Sequence, residues 1–344
     1  MDKVLELWGE ERYQKTLERI RRFWKGEGSD RFLVSIHSAA TDHRQVFDDE
    51  QIIEAIPRHL AAEAKLPGVS LPAIFPDFGT ISTAKYWGGT PRFDSTGGNI
   101  FIDPVADDTG PAMELEPLPA NDPEMDAARA LRIYKTICER LETDCLWMRT
   151  PDMQGPLNTA GLVMNQEELL MALLAEPETV APFLERVTAH LISYQQYLQK
   201  ETGGRICGNV WPYVFLPCDT GISMTEDLMP LLGPEPYRDA GLPYVKQIAD
   251  ALGGLMIHCC GQYAQHVENM AASGVPLLGL EFHQPHTTIE QLKPLWGKTV
   301  FVPGWSTPEL CEELLANTPE DVRYWFVFGT VTDEAIAFAK KHGF

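Results

Sequence analysis

Chemistry in this chain concentrates in one stretch, Leu255-Met256-Ile257-His258-Cys259-Cys260-Gly261. Three apolar residues run into an imidazole, two thiols and a glycine, which reads as a buried parallel strand reaching its C-terminal end. Side chains alternate along a strand, so His258 and Cys260 face one side and Cys259 the other. An imidazole and a thiolate two residues apart on a rigid strand end supply half of a zinc site, and they are the candidate catalytic pair. A plainer reading packs the two cysteines as small hydrophobes and satisfies His258 with a carbonyl.

Other apolar runs end in polar groups in the same way: at His37, Asp77, Asp152, Trp211, Glu281 with His283, and Trp305. A carboxylate that closes an apolar strand needs a partner, which singles out Glu281. Cys311 falls about one turn into the helix after Trp305, where proximity to a helix N-terminus favours the thiolate. It is also placed to be a buried filler beside Leu310 and Leu314. A zinc site of His258 and Cys260 completed from Glu281 and Cys311 would satisfy all four. Trp211, Tyr213, Phe215 and Trp305 either wall a pocket for a flat or apolar substrate or pack the rim. Asp219 either hydrogen-bonds substrate or caps the turn before Gly221. His37, Asp77 and His283 complete the candidate substrate-binding set.

For these side chains to meet, their strands must share one mouth. Apolar positions at Trp8, Tyr13, Leu17, Ile20 and Trp24 predict an amphipathic helix before the first strand, Phe32 to Ile36. From there strands and helices alternate to the C-terminus, with strands expected at 73–75, 145–149, 205–210, 255–258, 276–282, 299–302 and 325–328. Residues 223–226 read as loop and helix cap. Residues 86–121, rich in Gly, Pro and Asp, form a long excursion with short strands, one of them at Asn99 to Asp103. The alternation predicts an α/β fold, a (β/α)8 TIM barrel as a single domain over 1–344, with an N-terminal helical extension over 1–30. A doubly wound open sheet competes, but no Gly-rich phosphate loop follows the first strand.

The 344 residues are 44% hydrophobic and 22% charged, enough for a sizeable core without disulfides or a structural metal. A metal at His258 therefore serves function rather than folding. The net charge of −21 repels phosphate backbones and anionic lipid, which argues against nucleic-acid and membrane partners. Seven cysteines without framework spacing point to a reducing compartment. The charged N-terminal stretch is unlike a signal peptide and no apolar run is long enough to span a bilayer, so a cytoplasmic location is expected.

Three groups of residues carry a family resemblance. Gly155-Pro156-Leu157 through Asn165-Gln166-Glu167-Glu168-Leu169-Leu170 to Glu176-Pro177-Glu178-Thr179-Val180 resembles the middle of the uroporphyrinogen decarboxylase superfamily. So does Leu242-Pro243-Tyr244 leading to Ile257-His258-Cys259-Cys260-Gly261. Pro303-Gly304-Trp305-Ser306-Thr307-Pro308 followed by Asn317-Thr318-Pro319-Glu320-Asp321-Val322 is similar to its late segment. The resemblance spans roughly 150–322 and implies a (β/α)8 barrel. It offers two chemistries. The true decarboxylases carry an Arg-rich segment after the first strand, and here that place reads Ile36-His37-Ser38-Ala39-Ala40-Thr41-Asp42-His43-Arg44. The other branch holds zinc methyltransferases that work with corrinoid proteins, and its His-x-Cys motif matches His258 and Cys260. The resemblance thus implies a zinc-dependent methyltransferase moving a methyl group between a small molecule, a methoxylated aromatic or a thiol, and a corrinoid carried by a partner protein. A further cysteine that the branch supplies near its last strand is missing here after Cys311. A decarboxylase of another small acid using Asp77 and Asp219, or a non-catalytic barrel that binds a corrinoid protein, are the alternatives.

Overall fold

The apolar runs become parallel strands because each is buried on both faces, leaving no polar side to alternate. The computed structural model describes residues 2–37, 48–93, 100–208 and 213–344. In chain order the strands are β1 (Phe32–Ile36), β2 (Ala73–Ile74), β3 (Pro91–Phe93), β4 (Ile100–Ile102), β5 (Trp147–Arg149) and β6 (Ile206–Cys207). They continue as β7 (Ile222–Thr225), β8 (Leu255–His258), β9 (Leu277–Glu281), β10 (Val300–Val302) and β11 (Arg323–Phe328).

The parallel strands form two arcs. One has six strands in the order β1-β11-β10-β9-β8-β7, and the other three in the order β2-β5-β6. Helices separate most successive strands, as an α/β chain requires. The gaps between the arcs are sparsely bridged: Val69 N donates to Val34 O at 2.7 Å, and where Gln154 bridges Thr225, Gly155 N donates to Thr225 O at 2.7 Å and Thr225 N to Met153 O at 3.1 Å. The sheet is therefore α/β and parallel, but its ladder is not closed among the described residues, unlike the continuous eight-stranded barrel expected.

The N-terminal extension is two helices, Lys3–Trp8 and Glu10–Trp24, broken at Gly9, whose φ of 76° belongs to the left-handed region. The second packs Tyr13, Leu17, Ile20, Phe23 and Trp24 against Leu33, Trp147, Val300 and Trp325. Burying each such side chain stabilises the fold by about 1.5–3 kcal/mol. Trp24 stacks on Trp325 at 5.4 Å, and a Cβ on Gly279 would come to 3.0 Å from the Trp24 ring and from Met256, so a larger residue there would push the helix outward by a few tenths of an ångström. Arg323, at the start of β11, donates to Phe23 O at 2.6 Å. The helix therefore lies at the N-terminal ends of the strands, opposite the ends that carry His37, Arg149 and His258.

One expectation needs correction, and two are filled out. The segment read as loop over 223–226 is β7, buried throughout, because Ser223 and Thr225 are accommodated in a fully covered strand. The last strand is six residues long and central, paired on both sides by β1 and β10. The excursion over 86–121 contains the antiparallel pair β3–β4 and a short helix, Thr109–Glu114. No helix among the described residues is long and apolar enough to cross a membrane.

Candidate metal centre and substrate mouth

Register places the chemistry. β7 and β8 run parallel with Thr225 beside His258, so the residues that follow each strand leave side by side. Glu226 N donates to His258 O at 2.9 Å and carries the pairing one residue further. Asp227, His258 and Cys260 consequently form a group whose candidate ligand atoms all lie within 4.8 Å of one another. Asp227 Oδ1 accepts from Cys260 N at 3.2 Å and lies 3.6 Å from Cys260 Sγ and 4.0 Å from His258 Nε2.

The other ring nitrogen of His258 faces Glu281. Its Nδ1 lies 3.0 Å from Glu281 Oε2, while His283 Nε2 contacts Oε1 of the same fully buried carboxylate. A carboxylate behind one imidazole nitrogen orients the ring and strengthens the other nitrogen as a donor to a cation. Burial alone would lower the pKa of His258, but Cys260, Glu281 and Asp227 outweigh it and hold the pKa well above the ordinary value. The site thus favours positive charge, whether a proton or a metal. One nitrogen, one sulfur and one carboxylate oxygen suit zinc, so the residues fit the metal that the sequence calls for.

A hydrogen-bonded chain fixes the Asp227 loop. Leu228 N donates to Asn158 Oδ1 at 2.9 Å, Asn158 donates to Gln154 Oε1 at 2.8 Å, and Gln154 donates to Asp152 Oδ1 at 2.9 Å. Glu226 is wholly buried against Gly155, where an added Cβ would stand 2.1 Å from its Oε1. Burial, helped by Asp227, pushes the Glu226 carboxyl up to about 8. Burial and the nearby Asp77 carboxylate push Asp152 up to about 7.

From the metal group an aromatic wall runs round the mouth. The rings of His258 and His283 are 6.3 Å apart, and Gly304 packs on His283 so closely that a Cβ would lie 3.0 Å from the ring. Next comes Trp305, 38% exposed, 6.0 Å from Tyr213. Tyr213 in turn sits 6.0 Å from His37 and 4.7 Å from Phe75. Its φ of 69° is uncommon for a residue with a side chain, and such strain tends to persist where a ring must be aimed. Beyond Tyr213 a pocket is lined by His37, His59, Glu63, Phe75 and Arg149.

The residues singled out from sequence divide accordingly. His258, Cys260, Glu281 and His283 come together, with Glu281 placed behind the imidazole and outside the mutually close group. His37, Tyr213 and Trp305 line the wall, and Asp77 lies near enough to Asp152 to shift it. Asp219 does not join them. It precedes β7, at the opposite end from Thr225, and pairs with Arg21 of the N-terminal helix at 2.7 Å. Cys311 lies fully buried in the helix Pro308–Asn317, and burial pushes its thiol up, the reverse of an activated helix-terminal thiolate. It is not part of the group that Asp227, His258 and Cys260 form among the described residues. Trp211 lies outside the described residues. Sequence reasoning missed Asp227, because β7 was read as loop, and also missed Arg149, Glu63 and His59. Arg149 does end an apolar strand, the one signal that could have found it.

A model of the uroporphyrinogen decarboxylase (URO-D) family matches residues 150–323. No curated protein sequence matches the chain significantly. Among solved structures, a methyltransferase from Methanosarcina mazei superposes with a TM-score of 0.65 at 14% identity, covering 95% of this chain and 97% of that one. At that identity the likeness speaks for the shared fold. With a match over half its length, through the strands that build the metal group, the chain belongs to the uroporphyrinogen decarboxylase family.

Proposed function

We propose that the protein is a zinc-dependent methyltransferase that moves a methyl group between a small molecule and a corrinoid held by a partner protein. In this reading the two arcs act as one (β/α)8 barrel wall with a single mouth. The observation that carries it is the Asp227–His258–Cys260 group, its imidazole backed by Glu281. The superposition on a methyltransferase is compatible with this reaction, though what it supports is the shared fold. Zinc bound there would act as a Lewis acid, lowering the pKa of a thiol acceptor or stabilising the oxygen left when an ether loses its methyl. His258 and Cys260 would hold it, with Asp227 as third ligand; Glu281 and Cys311 are the other carboxylate and thiol first considered. Glu281 keeps His258 in one ring orientation, and Trp305 and Tyr213 hold a flat substrate against the wall and exclude water. The Asp152 carboxyl, near neutrality in its pKa, can hold or release a proton beside the reacting heteroatom.

The test follows demethylation of a methoxylated aromatic by the absorbance change of a reduced corrinoid protein. Activity should vanish with a chelator and return with zinc. Turnover that ignores chelation contradicts the reading. Carbon dioxide released from a small acid regardless of chelator would instead favour decarboxylation, for which the Asp77 and Asp152 carboxyls are the local observation.

A further inference from the structure

We propose that the pocket formed by Arg149, His37, Phe75 and Tyr213 binds one carboxylate group of the substrate. Arg149 ends β5 and is only 9% exposed, yet it lines the cavity at the mouth. A guanidinium this far out of water is costly unless its donors are used. Nη1 donates to Gly208 O at 3.2 Å and to Val214 O at 3.0 Å, both neutral carbonyls. No hydrogen bond among the described residues takes Nε or Nη2, and no described ion pair joins Arg149 to the nearby Glu63. Glu63 is occupied elsewhere: its Oε1 faces His37 Nδ1 at 3.7 Å and His59 Nε2 at 3.6 Å. Burial would raise the Glu63 carboxyl, but His37, His59 and Arg149 hold it below its ordinary value, so it is an anion that turns His37 Nδ1 toward itself.

His37 Nε2 then faces away from Glu63, buried and without a hydrogen-bond partner. The pocket therefore offers a charged planar fork, joined by His37 Nε2 as a second donor only when the imidazole carries a proton on both nitrogens, in a chain whose overall charge is −21. A planar anion fits that fork with two parallel hydrogen bonds. The Glu63 charge beside it opposes a dianion, which selects a carboxylate over a phosphate. Phe75 and Tyr213, packed on each other at 4.7 Å between ring centroids, give the pocket an aromatic side that suits a flat ring attached to that carboxylate. The inference rests on the mouth being the substrate site. With the methyl-transfer reading, it names the substrate class as an aromatic acid bearing an ether or thiol at its far end.

Calorimetric titration of the full-length protein with benzoate and with benzamide tests this, with and without zinc. Benzoate should bind at least about tenfold tighter than benzamide, the scale of a charge-assisted hydrogen bond. Arg149→Gln should abolish the preference, leaving benzamide affinity and zinc content unchanged. Equal affinities in the wild type, binding of neither compound, or a preference that survives Arg149→Gln would overturn the proposal. If Arg149→Gln does not fold, Arg149→Lys keeps the charge and loses the fork, and benzoate affinity unchanged in that variant also overturns it. A benzoate preference in protein that takes up no zinc would count against methyl transfer alone, and zinc uptake without the preference against the carboxylate pocket alone.

Discussion

Around β7, β8 and β9 the mouth presents Asp227, His258, Cys260 and Glu281, whereas around β1, β2 and β5 it presents His37, Glu63 and Arg149. Both halves pair imidazole with a buried carboxylate, but to different ends. On the metal side Glu281 backs a histidine whose other nitrogen looks toward a thiol and a carboxylate, a donor set that gathers a cation. On the pocket side Glu63 engages two histidines and makes no described ion pair with the nearby guanidinium, an arrangement that gathers an anion. Carboxylate–histidine pairing thus sets the ring orientation, and the third group decides the sign of the ligand.

The sharpest break in that comparison is His258→Ala. It removes the one nitrogen donor of the metal group, so metal content and methyl transfer should both fall to background, with benzoate binding across the mouth retained. Metal analysis together with the titration checks both halves at once. Glu281→Gln is milder: the ligands remain and the orienting charge goes, so zinc affinity should drop about 10–100-fold in a chelator competition. If Asp227 is the third ligand, Asp227→Asn should also weaken zinc binding, and Cys311→Ala should not. The reverse result would return Cys311 to the site and require the helix Pro308–Asn317 to move.

The smallest effect concerns Asp152, which senses both halves through Asp77 and His258. Its raised pKa means that the zinc-free folded protein keeps a proton up to about pH 7 that the unfolded chain releases near 4. More protons are bound by the folded state between those values, so stability falls as pH rises through that window. Asp152→Asn stays neutral throughout and should flatten the decline, measured as urea midpoints at pH 5 and pH 8 on chelator-stripped protein. Zinc favours the ionised carboxylate and should shrink the same difference in the wild type.

What could be read from sequence follows from how local each feature is. His258 and Cys260 are two residues apart on one strand, and strand alternation alone puts them on one face. Glu281 and His283 were legible for the same reason. Asp227 was not, because Ser223 and Thr225 break the apolar pattern and hid β7, and with it the strand that aims Asp227 at His258. The pocket side needed long-range information: Glu63 lies within an amphipathic helix, and only the fold brings it to His37 at the end of β1. Asp219 misled because a loop before a strand and a loop after one look alike in sequence, and the two open on opposite ends of the sheet. Alternation likewise predicted a parallel α/β sheet, yet it could not reveal the breaks in the ladder, which depend on a few backbone hydrogen bonds at Val69 and on either side of Gln154.

The central claim is a metal held by His258 and Cys260, and metal content by mass spectrometry addresses it most directly. Tag-free wild-type protein, prepared under reducing conditions, should carry about one zinc per chain, and Cys260→Ala should lose it, as expected for a site with three protein ligands. Wild-type protein that takes up no zinc on reconstitution, or a Cys260→Ala variant that retains it in full, would contradict the account.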